Sequence, residues 1–276
     1  MTYVNLGQAA LEYFPCRYGI SKLLFRGPRR RVQGDYVAFL GSTETYGKFV
    51  EVPYPALVEC ETGVKSVNLG CVNAGIDAFA SDRSLLGICA NARVSVIQLM
   101  GAQNMSNRFY AVHPRRNDRF LRASSHLQTL YDDVDFTDFN FTRHMLGILA
   151  QTSPDRFLMV ENELKEAWVA RMQSLITQIG GKVVLLWLAD HAPNDAAGQM
   201  GGGSDPLFID RNMINSLMGS VSGVIEIVAE PKERRQGLQE MVFAPLERPA
   251  AEEMLGPIVH RRAAAQLAQK IQALMS

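Results

Sequence analysis

Long apolar runs, paired cysteines and an excess of charge of either sign are all missing from this 276-residue chain. The longest apolar stretches, such as Val183 to Ala189, fall far short of the roughly 20 residues that a membrane-crossing helix needs. The first 25 residues mix Glu12, Arg17 and Lys22 with apolar positions, so no signal peptide is readable and a cytoplasmic location is the expectation. Four cysteines (Cys16, Cys60, Cys71, Cys89) form no Cys-x-x-Cys pair and have no histidine at zinc-ligand spacing. A metal site is therefore not expected, and reduced, mostly buried thiols are. Twenty-eight basic residues balance twenty-eight acidic ones, so nothing global favours nucleic acid or a membrane surface as partner. Gly201-Gly202-Gly203 neither follows a strand signal nor precedes a Gly-Lys pair, so the P-loop and dinucleotide fingerprints are absent and no cofactor is expected.

What is present suits a globular α/β protein. Hydrophobic residues make up 47% and charged residues 20%, enough apolar material for one sizeable core. Five strand signals follow one another: Tyr36 to Leu40, Ser66 to Leu69, Val94 to Met100, Val183 to Leu188 and Val224 to Val228. The first and fourth are continuous apolar runs, the pattern of parallel strands buried on both faces. Helices are expected over Pro55 to Glu59, Ala78 to Ala90, Ser153 to about Ile179, a stretch after Asp210, and Ile258 to Met275. Ser153-Pro154-Asp155 carries N-cap chemistry. Phe157, Val160, Leu164, Trp168, Met172 and Ile176 then recur at helical spacing. Strand–helix alternation with short connections implies a doubly wound, mainly parallel, five-stranded sheet of flavodoxin-like type. The chain reads as one domain over 1–276, with a basic N-terminal extension over 1–34 and an insertion or lid over 104–150. The Gly-rich stretch Gly198 to Asp205 reads as a flexible loop.

Ligands of doubly wound sheets bind beyond the carboxyl ends of the strands. Small and polar residues gather at four such places: Gly41 to Gly47, Gly70 to Gly75, Gly101 to Asn104, and Asp190-His191. Each residue also has a plain structural reading. Glycines end strands, Ser42 or Thr43 caps a helix, Gln103 or Asn104 pins a loop, and His191 bonds a backbone carbonyl. Arg115, Arg116 and Arg119 form a basic cluster that is either a solvated face or the site of an anionic group.

The run Phe39-Leu40-Gly41-Ser42-Thr43-Glu44-Thr45-Tyr46-Gly47 resembles the first block of the SGNH (GDSL-type) hydrolases. Asn68 to Gly75 is similar to their second block, Gly101-Ala102-Gln103-Asn104 to their third, and His260 stands where their histidine precedes the last helix. The resemblance implies an acyl-ester hydrolase or acyltransferase acting on an O-acylated sugar or small metabolite. Thr43, or Ser42 if the turn slips by one, would be the nucleophile and His260 the general base. Gly75 (or Gly70), Gln103 or Asn104, and the Thr43 amide would hold the oxyanion. Two positions depart from the family: Thr43 replaces its serine, and Pro257 stands where an acid should orient the histidine. Glu252, Glu253, Asp190 and Asp205 remain alternatives for that acid. Two rival readings stay open: a catalytically degenerate relative that binds an anionic ligand or modifies carbohydrate, and an interaction or scaffold protein using the aromatic segment Phe136 to Phe141. Self-association is left open with them.

Overall fold

The computed structural model describes residues 11–193 and 204–276. Apolar runs bounded by turn residues become strands, and the amphipathic stretches between them become covering helices. β1 (Tyr36–Gly41) leads into α1 (Thr43–Tyr46) and α2 (Tyr54–Thr62). β2 (Lys65–Gly70), α3 (Asp77–Ala80), α4 (Arg83–Ala90) and β3 (Val94–Gln98) follow. The alternation is then interrupted by a hairpin of β4 (Tyr110–His113) and β5 (Arg116–Ala123), with α5 (Ser125–Leu130) and α6 (Thr142–Thr152) after it. α7 (Pro154–Ile179), β6 (Val183–Ala189), α8 (Arg211–Leu217) and β7 (Gly223–Val228) restore it. α9 (Pro231–Gln239), α10 (Arg248–Glu252) and α11 (Pro257–Met275) complete the chain.

The five main strands form one parallel sheet in the order β2-β1-β3-β6-β7. The fold is thus α/β and doubly wound, as the strand–helix alternation implies. The chain moves outward from β1 to β2, then returns to place β3 on the other side of β1. That reversal opens a crevice at the carboxyl ends of β1 and β3.

Side chains alternate across each strand. Val37 and Phe39 of β1 face α2 and α11, packing with Val58, Val259, Ala263 and Leu267. Ala38 and Leu40 face the larger core made with α4 and α7, which includes Trp168 and Trp187. Small residues on α11 allow close approach to the sheet. On the opposite face, α7 is capped by the Ser153 hydroxyl, which accepts from the Arg156 amide.

The helix expected over Ala78 to Ala90 is two helices. Asp82 separates them because its carboxylate accepts from the Ser84 and Leu85 amides at 3.0 and 3.3 Å, capping α4 and ending the first element. Gly198 to Gly203 of the expected flexible loop lie outside the described residues. In the basic N-terminal stretch, Tyr18, Leu23 and Phe25 are buried in the larger core. Arg26 is only 8% exposed, and its guanidinium donates to the carbonyls of Gly47, Val50 and Glu51 at 2.5, 2.7 and 2.7 Å. The described part of that stretch, 11–34, is tied into the domain.

The hairpin is bolted to the loop after β2 by Asn117, which is fully buried. Its Oδ1 accepts from the Gly75 and Ala78 amides at 2.9 and 3.0 Å. Phe120, Phe136 and Phe139 pack on one another, so most of the aromatic segment is core. Phe141 differs, being 45% exposed. Among the described residues, no helix is long and apolar enough to cross a membrane.

Candidate active-site cleft

A cleft of about 780 Å³ opens above the carboxyl ends of β1, β3 and β6, where the reversal of strand order predicts a ligand. Ser42, Thr43 and Glu44 line it from the turn after β1, Asn73 and Ala74 from the loop after β2, and Gln98 to Gly101, Gln103 and Asn104 from β3 and its loop. Asp190 contributes from the end of β6, and Arg234, Glu253, Met254 and Leu255 from the segment before α11. The inserted segment adds Asp118, Phe141, Thr142, Arg143 and His144.

One buried side chain shapes the turn. The Gln98 Oε1 accepts from the Ser42 amide (3.1 Å), the Thr45 amide (3.1 Å) and the Thr45 hydroxyl (2.6 Å). With its oxygen so engaged, Gln98 pulls α1 tightly onto β3. Gly41 is required beneath it: a Cβ there would stand 2.0 Å from Thr45 Oγ1 and 2.5 Å from Gln98 Oε1.

The two adjacent hydroxyls have different fates. Thr43 is 9% exposed; its Oγ1 accepts from the Asn73 amide at 3.0 Å and donates to Asn73 Oδ1 at 3.2 Å. Ser42 is half-buried and lines the cleft, and among the described residues its hydroxyl has no hydrogen-bond partner.

His260 is fully buried behind the turn and does not line the cleft. Its Nδ1 accepts from the Tyr54 amide at 3.1 Å, which in the neutral ring leaves the proton on Nε2. Nε2 faces Glu44 Oε2 at 3.5 Å, while Glu44 Oε1 accepts from the Leu255 amide at 3.0 Å. The expected nucleophile–base pair between Thr43 and His260 is not formed. Each already holds other partners, and His260 has no free lone pair to take a hydroxyl proton.

The expected oxyanion donors separate as clearly. The Gly75 amide donates to Asn117 and the Gly70 amide to Asn68 Oδ1 at 2.8 Å, so neither is free for a ligand. Gln103 donates its Nε2 to Asp205 at 2.6 Å. Asn104 instead has its side-chain Oδ1 held by the Thr142 hydroxyl at 2.8 Å. Its Nδ2, among the described residues, donates to nothing. The Thr43 amide, in the first turn of α1, is likewise unpaired.

The four candidate acids are also distributed. Asp190 accepts from Arg234 at 2.5 Å and meets His191 Nδ1 at 3.0 Å; the His191 hydrogen bond, together with the Arg234 charge, holds its carboxyl below the usual range. Asp205 pairs with Arg143 at 3.0 Å, and Glu252 with Arg248 at 2.9 Å. Glu253 lines the cleft, exposed and without an ion pair among the described residues. His144 shares that condition, its ring set edge-on to Phe139.

Arg115, Arg116 and Arg119 are exposed on the hairpin and do not line the cleft. Arg119 lies over the Phe141 ring at 5.6 Å, which brings it to the rim. Gln98, Arg143 and Arg234 are cleft residues that sequence reasoning missed. Only Gln98 carried a signal, a long polar side chain within the buried run Val94 to Met100.

A model of a domain of unknown function, DUF6473, matches residues 1–275. The chain belongs to that family. No curated protein matches the DUF6473 chain. Among solved structures, it is similar to a gut microbial diltiazem-metabolizing enzyme at 12% identity and a TM-score of 0.40, with 87% of this chain covering 47% of that one. The DUF6473 chain thus spans about half the length of that enzyme. It is also similar to a lipase from a goat rumen metagenome at 12% identity and a TM-score of 0.38, with 87% of this chain and 96% of the lipase covered.

Proposed function

We propose that the cleft catalyses acyl transfer from an ester, as an SGNH-like hydrolase or acyltransferase, with Ser42 as nucleophile. The observation that carries this reading is that, among the described residues, the Ser42 hydroxyl just after β1 has no hydrogen-bond partner and shares a cleft with the undonated Nδ2 of Asn104. Ser42 gives up its proton, its Oγ bonds to the acyl carbon, and the ester C–O bond breaks as the alcohol leaves with a proton. Water, or a second hydroxyl compound, then takes the acyl group from Ser42. The Thr43 amide and Asn104 Nδ2 hold the oxyanion; each such donor is worth roughly 3–4 kcal/mol in other acyl-transfer enzymes. His144 and Glu253, which line the cleft and hold no hydrogen bond or ion pair among the described residues, are the candidates for the base. A cleft of about 780 Å³ with mixed polar and apolar walls suits an O-acylated sugar or small metabolite.

The test is turnover of 4-nitrophenyl acetate and of acetylated monosaccharides by the wild type, Ser42→Ala and Thr43→Val. Loss in Ser42→Ala at unchanged melting temperature supports the reading. Absence of turnover in the wild type, or full activity in Ser42→Ala, overturns it.

One observation favours a binding role without turnover: among the described residues, no base is hydrogen-bonded to Ser42. Stabilisation by an anionic compound such as sulfate or a nucleotide, with no ester turnover, would select that reading.

A further inference from the structure

Gln98 occupies an unusual position, a carboxamide only 5% exposed at the end of a fully buried strand whose only other polar side chain is the small Ser95. Which way its amide is turned follows from its neighbours. Two backbone N–H groups and one hydroxyl converge on a single atom of Gln98, and both backbone groups can only donate. That atom is therefore the oxygen, because a reversed amide would set its NH2 group against two other N–H donors. The carboxamide is planar, so with Oε1 turned to α1 the Nε2 group points away from it.

Nε2 has no hydrogen-bond partner among the described residues, yet it is not among the fully enclosed orphan atoms, and Gln98 lines the cleft. A sealed N–H without a partner would forfeit its hydration without replacement, so an opening toward the cleft is the arrangement that satisfies it. Gln103, five residues later, shows the contrast: its Nε2 is consumed by Asp205. At the end of β3, Gln98 and Asn104 are thus two carboxamides with oxygens anchored and N–H groups unspent.

Resting on the reading of Ser42 as nucleophile, we propose that Gln98 is a further catalytic residue, donating from Nε2 to the oxyanion formed when Ser42 attacks. The same side chain would then set the Ser42 turn through Oε1 and meet the reacting carbonyl through Nε2. Donor placement and nucleophile placement are coupled in one rigid group, with little to reorganise during reaction.

The decisive variant is Gln98→Glu, which keeps oxygens for the three donors of the turn and removes the N–H group. A donor role predicts a fall in kcat of about 100- to 1000-fold on 4-nitrophenyl acetate with KM within a few-fold, at near-native melting temperature. Retained kcat in Gln98→Glu, alongside loss in Ser42→Ala, overturns the Gln98 role and leaves the Ser42 reading intact. No ester turnover in the wild type overturns both. Should Gln98→Glu fail to fold, the wild type answers the same question. Diethyl 4-nitrophenyl phosphate transfers its phosphoryl group to Ser42 Oγ as 4-nitrophenolate leaves. A crystal structure of that adduct with a phosphoryl oxygen about 2.7–3.1 Å from Gln98 Nε2 supports the proposal. An oxygen turned away from Nε2 overturns it.

Discussion

The turn after β1 and the arginine-bearing hairpin of β4 and β5 both border the cleft, and they are built on opposite terms. In the turn, polar atoms are matched: buried Gln98 holds buried Thr45, and buried Thr43 exchanges hydrogen bonds with Asn73. In the hairpin, Arg115, Arg116 and Arg119 stand in solvent, and among the described residues none has an ion pair. Charge density drew attention to the hairpin, whereas the turn presents hardly any charge. Yet a preorganised site needs atoms that cannot move, which the turn supplies and these three arginines do not. The atoms proposed to act are the exceptions to the matching: the Ser42 hydroxyl in the turn, and the N–H groups of Gln98 and Asn104 beside it.

The largest expected effect breaks the turn's chemistry while sparing its framework. Ser42→Ala should lower ester turnover by about 10⁴-fold or more, with the melting temperature nearly unchanged, as kinetics and thermal unfolding will report. Next, His260→Ala should cost about 2–4 kcal/mol in chemical denaturation, because it leaves a cavity and strands the buried Tyr54 amide. Were His260 the base, turnover would fall far more than stability. Thr43→Val keeps the side-chain shape and removes the hydroxyl that accepts from the Asn73 amide. It should cost about 1–3 kcal/mol, with turnover falling less than tenfold.

A smaller effect concerns acid. The Asp190 carboxyl is held low in the folded protein, so its contribution is present above the unfolded carboxyl pKa of about 3.9 and is lost as pH falls through the lower folded value. Asp190→Asn should therefore lower the melting temperature near pH 7, and its gap from wild type should close below about pH 4. The smallest effect belongs to the hairpin. Arg115→Ala with Arg116→Ala should change stability by no more than about 0.5 kcal/mol and leave ester turnover as it was. A large loss of turnover in that double variant would reverse the ranking of the two regions.

Periodicity and strand-end composition made much of this molecule legible without coordinates. The strand signals around Tyr36, Val94 and Val183 are short, mostly apolar and sharply bounded, so burial on both faces of a parallel sheet follows from their chemistry. The cap at Ser153 and the apolar stripe of α7 follow from local spacing alone. Those local signals also led to the segments that line the cleft, because strand order and glycine-bounded ends imply where a crevice opens. They could not rank neighbouring hydroxyls. Ser42 and Thr43 differ by one position, and the Thr43 hydroxyl is paired because Asn73, some 30 residues on, folds back onto it. His260 shows the same limit. Its place before the last helix is readable, but the Tyr54 amide that occupies its Nδ1 lies 206 residues away. Fold class depends on averages over many residues, which sequence preserves. Which polar atom stays free depends on single pairings between distant segments, and only the tertiary structure decides those.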